Sequence, residues 1–311
     1  MSKNILVTGG AGFVGAKLVP LLLNKGHNVR VIDSLVHRSP SLIDCFSHNQ
    51  FEFMKGDVRN KDDVQKAVNG IDYIIHLAAL VGAPACERNK TLAQELNVDA
   101  TILLEQTRSR DTGFIFPSTG SVYGSIEDVC TEETETNPLS TYGITKLHAE
   151  QYLLDKGNVV VYRPATAFGV SNRMRLDLLV NDFTFKAVKN GFLLLYDKNA
   201  RRTFIEVEDF AHALKFAVEN YQNLKDDTYN LGHESLNYTK GELCDQIREV
   251  VDFSIHSTEG SDPDQRDYEV SYQKIRNKGF EVKMSLPEGI RRLIKAYDMI
   301  DIHNPYANAD Y

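Results

Sequence analysis

The sequence predicts an α/β protein, a Rossmann-type doubly wound parallel sheet carrying a smaller mixed α/β substrate-binding region. Three features predict it. Short apolar strands alternate with amphipathic helices through the first half, those strands are apolar on both faces, and a glycine-rich turn joins the first strand to the first helix. Strands buried on both faces and separated by helices belong to a parallel sheet covered on each side.

The elements follow in order. Residues 4–8 (NILVT) form a short buried strand that ends at a glycine cluster. Over 13–24, Val14, Leu18, Leu21 and Leu22 recur at helical spacing, and Gly26 stops the helix. Residues 29–32 (VRVI) are the second strand, closed by Asp33, with a third at 51–53 and a fourth at 73–76. A helix starts near Lys61 between the last two, and one long helix is expected over 91–109. Strands at 113–117 and 158–162 flank a helix near 140–156. Beyond about residue 165 the alternation breaks. Helices are expected near 177–190, 207–221, 239–251 and 286–300, separated by short strands and loops such as EGSDPD (259–264). No linker divides the chain. The expected organisation is a first domain over 1–165, rejoined by part of 200–225, with a region mainly over 166–311 packed against it along a cleft.

Composition narrows the function. The 311 residues are 42% hydrophobic and 25% charged, and 35 basic residues against 43 acidic ones leave a net charge of −8. A duplex binder needs a dominant basic surface, so no nucleic-acid partner is expected. No apolar run approaches the roughly 20 residues that span a bilayer, and MSKN leads straight into a strand, so neither a membrane partner nor a signal peptide is expected. Cys45, Cys86, Cys130 and Cys244 form no CxxC pair, which suits free thiols in a reducing cytoplasm. The nine histidines show no HExxH or other ligand spacing, and no metal is expected. The single DTG at 111–113 and the NYT sequon at 237–239 are declined as chance motifs.

The run TGGAGFVG (8–15) lies where a dinucleotide loop must lie, between strand and helix. Gly9 permits the tight turn, Gly12 lets the backbone approach a pyrophosphate, and Gly15 allows close helix packing. The helix N-terminus then offers unpaired N–H groups to the phosphates. Asp33 can accept both ribose hydroxyls and repel a 2′-phosphate, which favours NAD over NADP, although Arg30 and Arg38 stand nearby. Asp57 and Val58 follow the third strand and would lie beside the adenine; Asp57 would serve equally as a turn residue. Farther on, Tyr142 and Lys146 fall four residues apart on one helix face. A free phenol has a pKa of about 10 and is a poor base at neutral pH. An adjacent ammonium and a positive nicotinamide ring favour the phenolate, which could take a proton from a substrate hydroxyl as a hydride leaves for NAD.

These runs, with GDVR (56–59), HLAA (76–79), ELNVDAT (95–101), STGSVYG (118–124), YRPATAFG (162–169), RRTFIEVEDF (201–210) and LPEGI (286–290), resemble the extended short-chain dehydrogenase/reductases acting on nucleotide sugars, the NDP-sugar epimerase/dehydratase family. The resemblance implies that Phe13 and Val14 complete the cofactor loop, and that Leu77, Ala78 and Ala79 line the cofactor. It also implies that Asn97 steadies the centre and Pro164 shapes the nicotinamide pocket. Thr119 would hydrogen-bond the reacting sugar oxygen, Tyr142 would be the acid/base, and Lys146 would hold the nicotinamide ribose. Substrate contacts are implied for Val81, Gly82, Ser121, Thr166, Arg175, Asn181, Arg202 and Arg266, while Arg173 and Arg201 fit either a phosphate contact or solvated surface.

In the same family, 4,6-dehydratases carry an Asp-Glu pair after the threonine, where this chain has Gly120 and Ser121, so that activity is disfavoured. Thr166 stands where many members have asparagine. The segments LVGAP (80–84), NRMRLDLLVNDF (172–183) and DPDQRDY (262–268) resemble the branch acting on GDP-heptose in capsule biosynthesis, the GDP-manno-heptose 4-dehydrogenases. The expectation is NAD-dependent oxidation at C4 of a GDP-linked sugar, with a 4-epimerase as runner-up. A non-catalytic NAD sensor is disfavoured by the intact Thr119, Tyr142 and Lys146 set. The resemblance also implies a homodimer built on the helices near 91–109 and 140–156.

Overall fold

A computed structural model describes residues 2–257 and 266–300. The loop expected at 259–264 and the first part of the 262–268 run lie outside the described residues. Seven strands form the main sheet: β1 (Asn4–Thr8), β2 (Asn28–Asp33), β3 (Phe51–Lys55), β4 (Tyr73–His76), β5 (Gly113–Pro117), β6 (Val159–Pro164) and β7 (Asp227–Leu231). They run parallel in the order β7-β6-β5-β4-β1-β2-β3. The chain winds outward from β1 to β3 on one side and from β4 to β7 on the other. The reversal opens a crevice above the carboxyl ends of β1 and β4, where Thr8 pairs with His76.

Alternation along each strand explains the two covered faces. Ile5 and Val7 of β1 join the core beneath helices Gly15–Asn24 and Val207–Glu219, through Leu18, Leu22, Leu214 and Ala217. Leu6 points the other way, into a core shared with Val64, Leu104, Ala149 and Leu153. The smaller region has its own core, in which Phe168, Val180, Leu243, Ile247, Leu286 and Ile290 meet. That core is built from helices Leu179–Asn190, Lys240–Arg248 and Leu286–Tyr297 against a sheet of Asn237–Thr239, Arg201–Glu206 and Thr166–Phe168.

One expectation needs revision and another gains a detail. The returning segment does not stop at 225; it runs on to form β7, whose sequence DTYNL is too polar to read as a buried strand. The long helix expected over 91–109 is present as one helical run, Lys90–Gln94 continuing through a π-helical turn Glu95–Asp99 into Ala100–Thr107. The wider turn carries Asn97 into the interior, where its Oδ1 accepts from the Leu80 N–H at 2.8 Å and its Nδ2 donates to the Leu80 carbonyl at 3.0 Å and to Thr145 Oγ1 at 3.1 Å. Such bulges occur where a side chain must be re-aimed at a functional site. The sequence reading also did not single out a short helix, Ala83–Arg88, and a parallel strand pair, Ser125–Cys130 with Asp267–Val270. Among the described residues no helix is long and apolar enough to cross a membrane.

Replacing Asn97 by alanine orphans the buried Leu80 N–H and is expected to cost about 1–3 kcal/mol of stability. Because Thr145 sits between Tyr142 and Lys146, turnover should fall with it. A urea midpoint equal to that of the parent chain would show that the π turn does not depend on this side chain.

Candidate active site

A cleft of about 400 Å³ occupies the crevice, a size suited to small-molecule binding. One wall is the glycine turn. Gly9 has φ +66°, and a Cβ there would lie 2.6 Å from the Ala78 nitrogen of the neighbouring strand end. At Gly15 a Cβ would collide with the Gly10 carbonyl. The helix Gly15–Asn24 starts with no side-chain cap; its Ala16 N–H donates to the Gly12 carbonyl and those of Lys17 and Leu18 to Val14, so the backbone that faces the cleft is the glycine turn before it. Asp33 lies at the end of β2, its Oδ2 accepting from Ala11 N–H at 3.0 Å and its Oδ1 from Leu35 N–H at 2.8 Å. Each oxygen keeps lone-pair capacity for a hydroxyl. Burial raises its pKa, while the two backbone bonds and Arg173 pull it back. An uncapped helix end, an open glycine backbone and a carboxylate at the next strand end together fit a dinucleotide.

The polar cluster at the centre of the cleft is assembled from β5 and the helix Thr141–Lys156. Thr119, just past β5, caps a short turn at Gly120–Val122, its Oγ1 accepting from Ser121 N–H at 3.1 Å and donating to Ser121 Oγ at 3.1 Å. Arg266 Nη1 donates to the same Ser121 oxygen at 2.7 Å. The helix begins at Ser140, whose Oγ accepts from Gly143 N–H. Gly143 permits the close approach, since a Cβ on it would stand 3.0 Å from the Ser121 carbonyl oxygen. Tyr142 and Lys146 then face the cleft. Lys146 is almost wholly buried, with Nζ 3.9 Å from the centre of the Phe116 ring.

Electrostatics here differ from the sequence-based expectation. Burial pushes the Tyr142 phenol up to about 12, with Arg175, a hydrogen bond with Thr119 and Arg266 acting against it. Burial also drives Lys146 down to about 7. The cations that favour the phenolate in this structure are therefore the two guanidinium groups rather than the lysine.

Of the cofactor residues expected from sequence, Gly9, Gly12, Phe13, Val14, Gly15, Asp33, Asp57, Val58, Leu77, Ala78, Ala79, Tyr142, Lys146 and Pro164 line the cleft. Asn97 does not; it works from behind, through Leu80 and Thr145. Val81, Gly82, Thr119, Ser121, Thr166, Arg175 and Arg266 also line it. Asn181 and Arg202 do not. Asn181 is fully buried with its amide spent on the Gly169 N–H and on the carbonyls of Gly169 and Arg175, so it supports the loop that carries the arginines. Arg202 donates to the Arg201 and Arg266 carbonyls and so positions Arg266 from below. Asp57 accepts from the Arg59 backbone and guanidinium, which hold its carboxyl below the usual range. The sequence reading did not single out Val36, His37, Leu178, Phe210 and Tyr268, and it left Arg173 undecided. Arg173 lines the cleft and is only 7% exposed. Its neighbour Ser171 donates to the Phe13 carbonyl of the glycine turn at 2.7 Å, a long-range contact with no local sequence signal.

Comparison with known proteins supplies the context for this geometry. Residues 5–232 match the family model described as "NAD dependent epimerase/dehydratase family". The chain is 28% identical to a putative UDP-glucose 4-epimerase of Methanocaldococcus jannaschii, over 93% of this chain and 97% of that protein. It is 31% identical to UDP-glucuronic acid decarboxylase 1 of Arabidopsis thaliana, over 98% of this chain and 71% of that one. Among solved structures, a dTDP-glucose 4,6-dehydratase from Streptomyces venezuelae with NAD bound superposes with a TM-score of 0.85 at 25% identity, over 95% of this chain and 97% of that one. The cofactor is NAD, and the residues of the glycine turn and β2 suit it.

Gly15→Ala is expected to abolish NAD retention, because the added methyl meets backbone rather than a movable side chain. Chromatography of the nucleotide released on denaturation checks this. A variant carrying as much NAD as the parent would show that the turn tolerates the methyl.

Proposed function

The chain belongs to the NAD-dependent epimerase/dehydratase family, and from that premise we propose that it oxidises C4 of a nucleoside-diphosphate sugar. One observation carries this reading. Tyr142, Thr119, Ser121 and Arg266 form a continuous polar row in the same cleft as Lys146. In such a row Thr119 orients the C4 hydroxyl and Tyr142 takes its proton. Arg175 and Arg266 stabilise the phenolate that this requires. NAD, when bound, supplies the hydride acceptor.

The fate of the 4-keto sugar turns on residues 120 and 121. Elimination of water across C5 and C6 needs an acid and a base, and glycine and serine are neither. The product is therefore read as a 4-keto sugar released without elimination. A GDP-heptose substrate is the finer reading, supported by the segments at 80–84, 172–183 and 262–268, which contribute Val81, Gly82, Arg175, Leu178, Arg266 and Tyr268 to the cleft. The second reading is a 4-epimerase that returns the hydride after the sugar turns over, and it is favoured by the relative of that name. Arg175, clamped by Asp177 at 2.6 Å, and Arg266 are the proposed diphosphate or sugar contacts. A homodimer built on the helices near 91–109 and 140–156 is proposed as well, supported by the exposed Ile144 on the second.

Incubation with a panel of nucleoside-diphosphate sugars, followed by mass spectrometry, tests the assignment. Loss of two hydrogens marks the dehydrogenase, unchanged mass with a new isomer marks the epimerase, and loss of water overturns both. Tyr142→Phe should reduce turnover by about 10²–10⁴-fold while NAD remains bound. Parent-level turnover in that variant would remove Tyr142 from the mechanism.

A further inference from the structure

The helix that carries Tyr142 and Lys146 presents a second buried charge one turn farther on. Glu150 is 1% exposed and shares a helix face with Lys146. Arg163 of β6 grips it in an unusual way. Both Nε, at 3.0 Å, and Nη2, at 2.6 Å, donate to the single oxygen Oε1. The more common fork spreads two donors over two carboxylate oxygens. Here Oε2 is buried with no hydrogen-bond partner. Leaving a buried acceptor bare is costly, and groups left so in a well-packed interior call for a reason.

The guanidinium is itself fixed. Its Nη1 donates to the Tyr123 hydroxyl at 3.1 Å and to the Glu132 carbonyl at 3.3 Å, and Tyr123 donates on to Asn230 Oδ1 at 2.6 Å. Glu150 is thus pinned from the side of β6 and β7, with its unsatisfied oxygen left over.

We propose that Glu150 is a positioning residue of the reaction centre, whose carboxylate, anchored by Arg163 one helical turn from Lys146, keeps that buried side chain charged. Of the groups that act on Lys146 in this way, Glu150 and Cys86, only Glu150 is a carboxylate. Tyr142 on the same helix is a neutral phenol at physiological pH, pushed up to about 12. The Cys86 thiol, on the helix Ala83–Arg88, is likewise pushed up to about 12 by burial and stays protonated. His76, at the end of β4, is held neutral by burial, down to about 3. Glu150 is the leading influence opposing the desolvation of Lys146. An ammonium inside a dry cleft loses its proton unless an anion accompanies it. The proposal rests on the reading of Lys146 as part of the reaction centre.

The test uses the full chain as purified, with lysine labelled with ¹³C at Cε and the Lys146 signal assigned by its absence in Lys146→Arg. Glu150→Gln should lower the titration midpoint of Lys146 by about one pH unit or more. The ratio of variant to parent turnover should also fall as pH rises, because the variant loses the ammonium first. Arg163 left without its anion could unfold the single variant. The double variant Glu150→Gln/Arg163→Met removes both charges and is then the decisive protein. An unchanged midpoint in a folded variant overturns the proposal, as does a turnover loss of equal size at every pH, which a merely structural role would give. The resonance titrates whether or not any sugar nucleotide is turned over, so failure of the functional reading remains distinguishable from failure of this one.

Discussion

The chemistry of this molecule depends on one close approach, that of the helix Thr141–Lys156 to the turn following β5. Gly143 against the Ser121 carbonyl brings two elements near enough for a phenol on one to share a hydrogen bond with a threonine on the other. The cost of that proximity is desolvation. A phenol and an ammonium are both driven toward their neutral forms, so charge has to be restored by groups outside the helix's first turn. Two guanidinium groups act on the phenol and one carboxylate acts on the ammonium. The opposed influences suit a site that exchanges a proton with a neutral hydroxyl.

Much of the first half was legible in the sequence, because it follows local rules. Each of β1, β4 and β5 occupies the residues that its apolar run and flanking turn signals predict. The cofactor-facing glycines could be found because their constraint is steric and local. The departures have a common origin in contacts distant along the chain. Nothing within 227–231 announces a strand; DTYNL becomes one because β6 offers it an unpaired parallel edge. The helix over 91–109 reads as continuous by periodicity, yet one asparagine with a backbone pair to satisfy at Leu80 opens it into a π turn.

The candidate site shows the same division. Motif positions that line the cleft were legible, as with Tyr142 and Thr119. Positions assigned to substrate by motif alone were less so. Asn181 and Arg202 are polar, occur in suggestive runs and lie behind the wall, where backbone groups take their hydrogen bonds. Neither residue type nor spacing distinguishes an amide that faces a ligand from one that holds the loop facing it. Only the direction of the side chain does.

That loop crosses the boundary drawn at residue 165. From Gly169 to Asp177 it leaves the smaller region, ties Ser171 to the Phe13 carbonyl, and brings Arg173 within electrostatic reach of both Asp33 and His37. Burial and the two arginines push His37 down to about 4, so it stays neutral at physiological pH and adds no further cation. The Asp33 carboxylate and the Arg173 guanidinium that acts on it therefore come from opposite halves of the chain. With the glycine turn contributed by one half and its overlying arginine by the other, the cleft exists only when the two are packed together. A substitution that loosens Asn181, deep in the smaller region, consequently acts on the cofactor end of the cleft through the loop it supports.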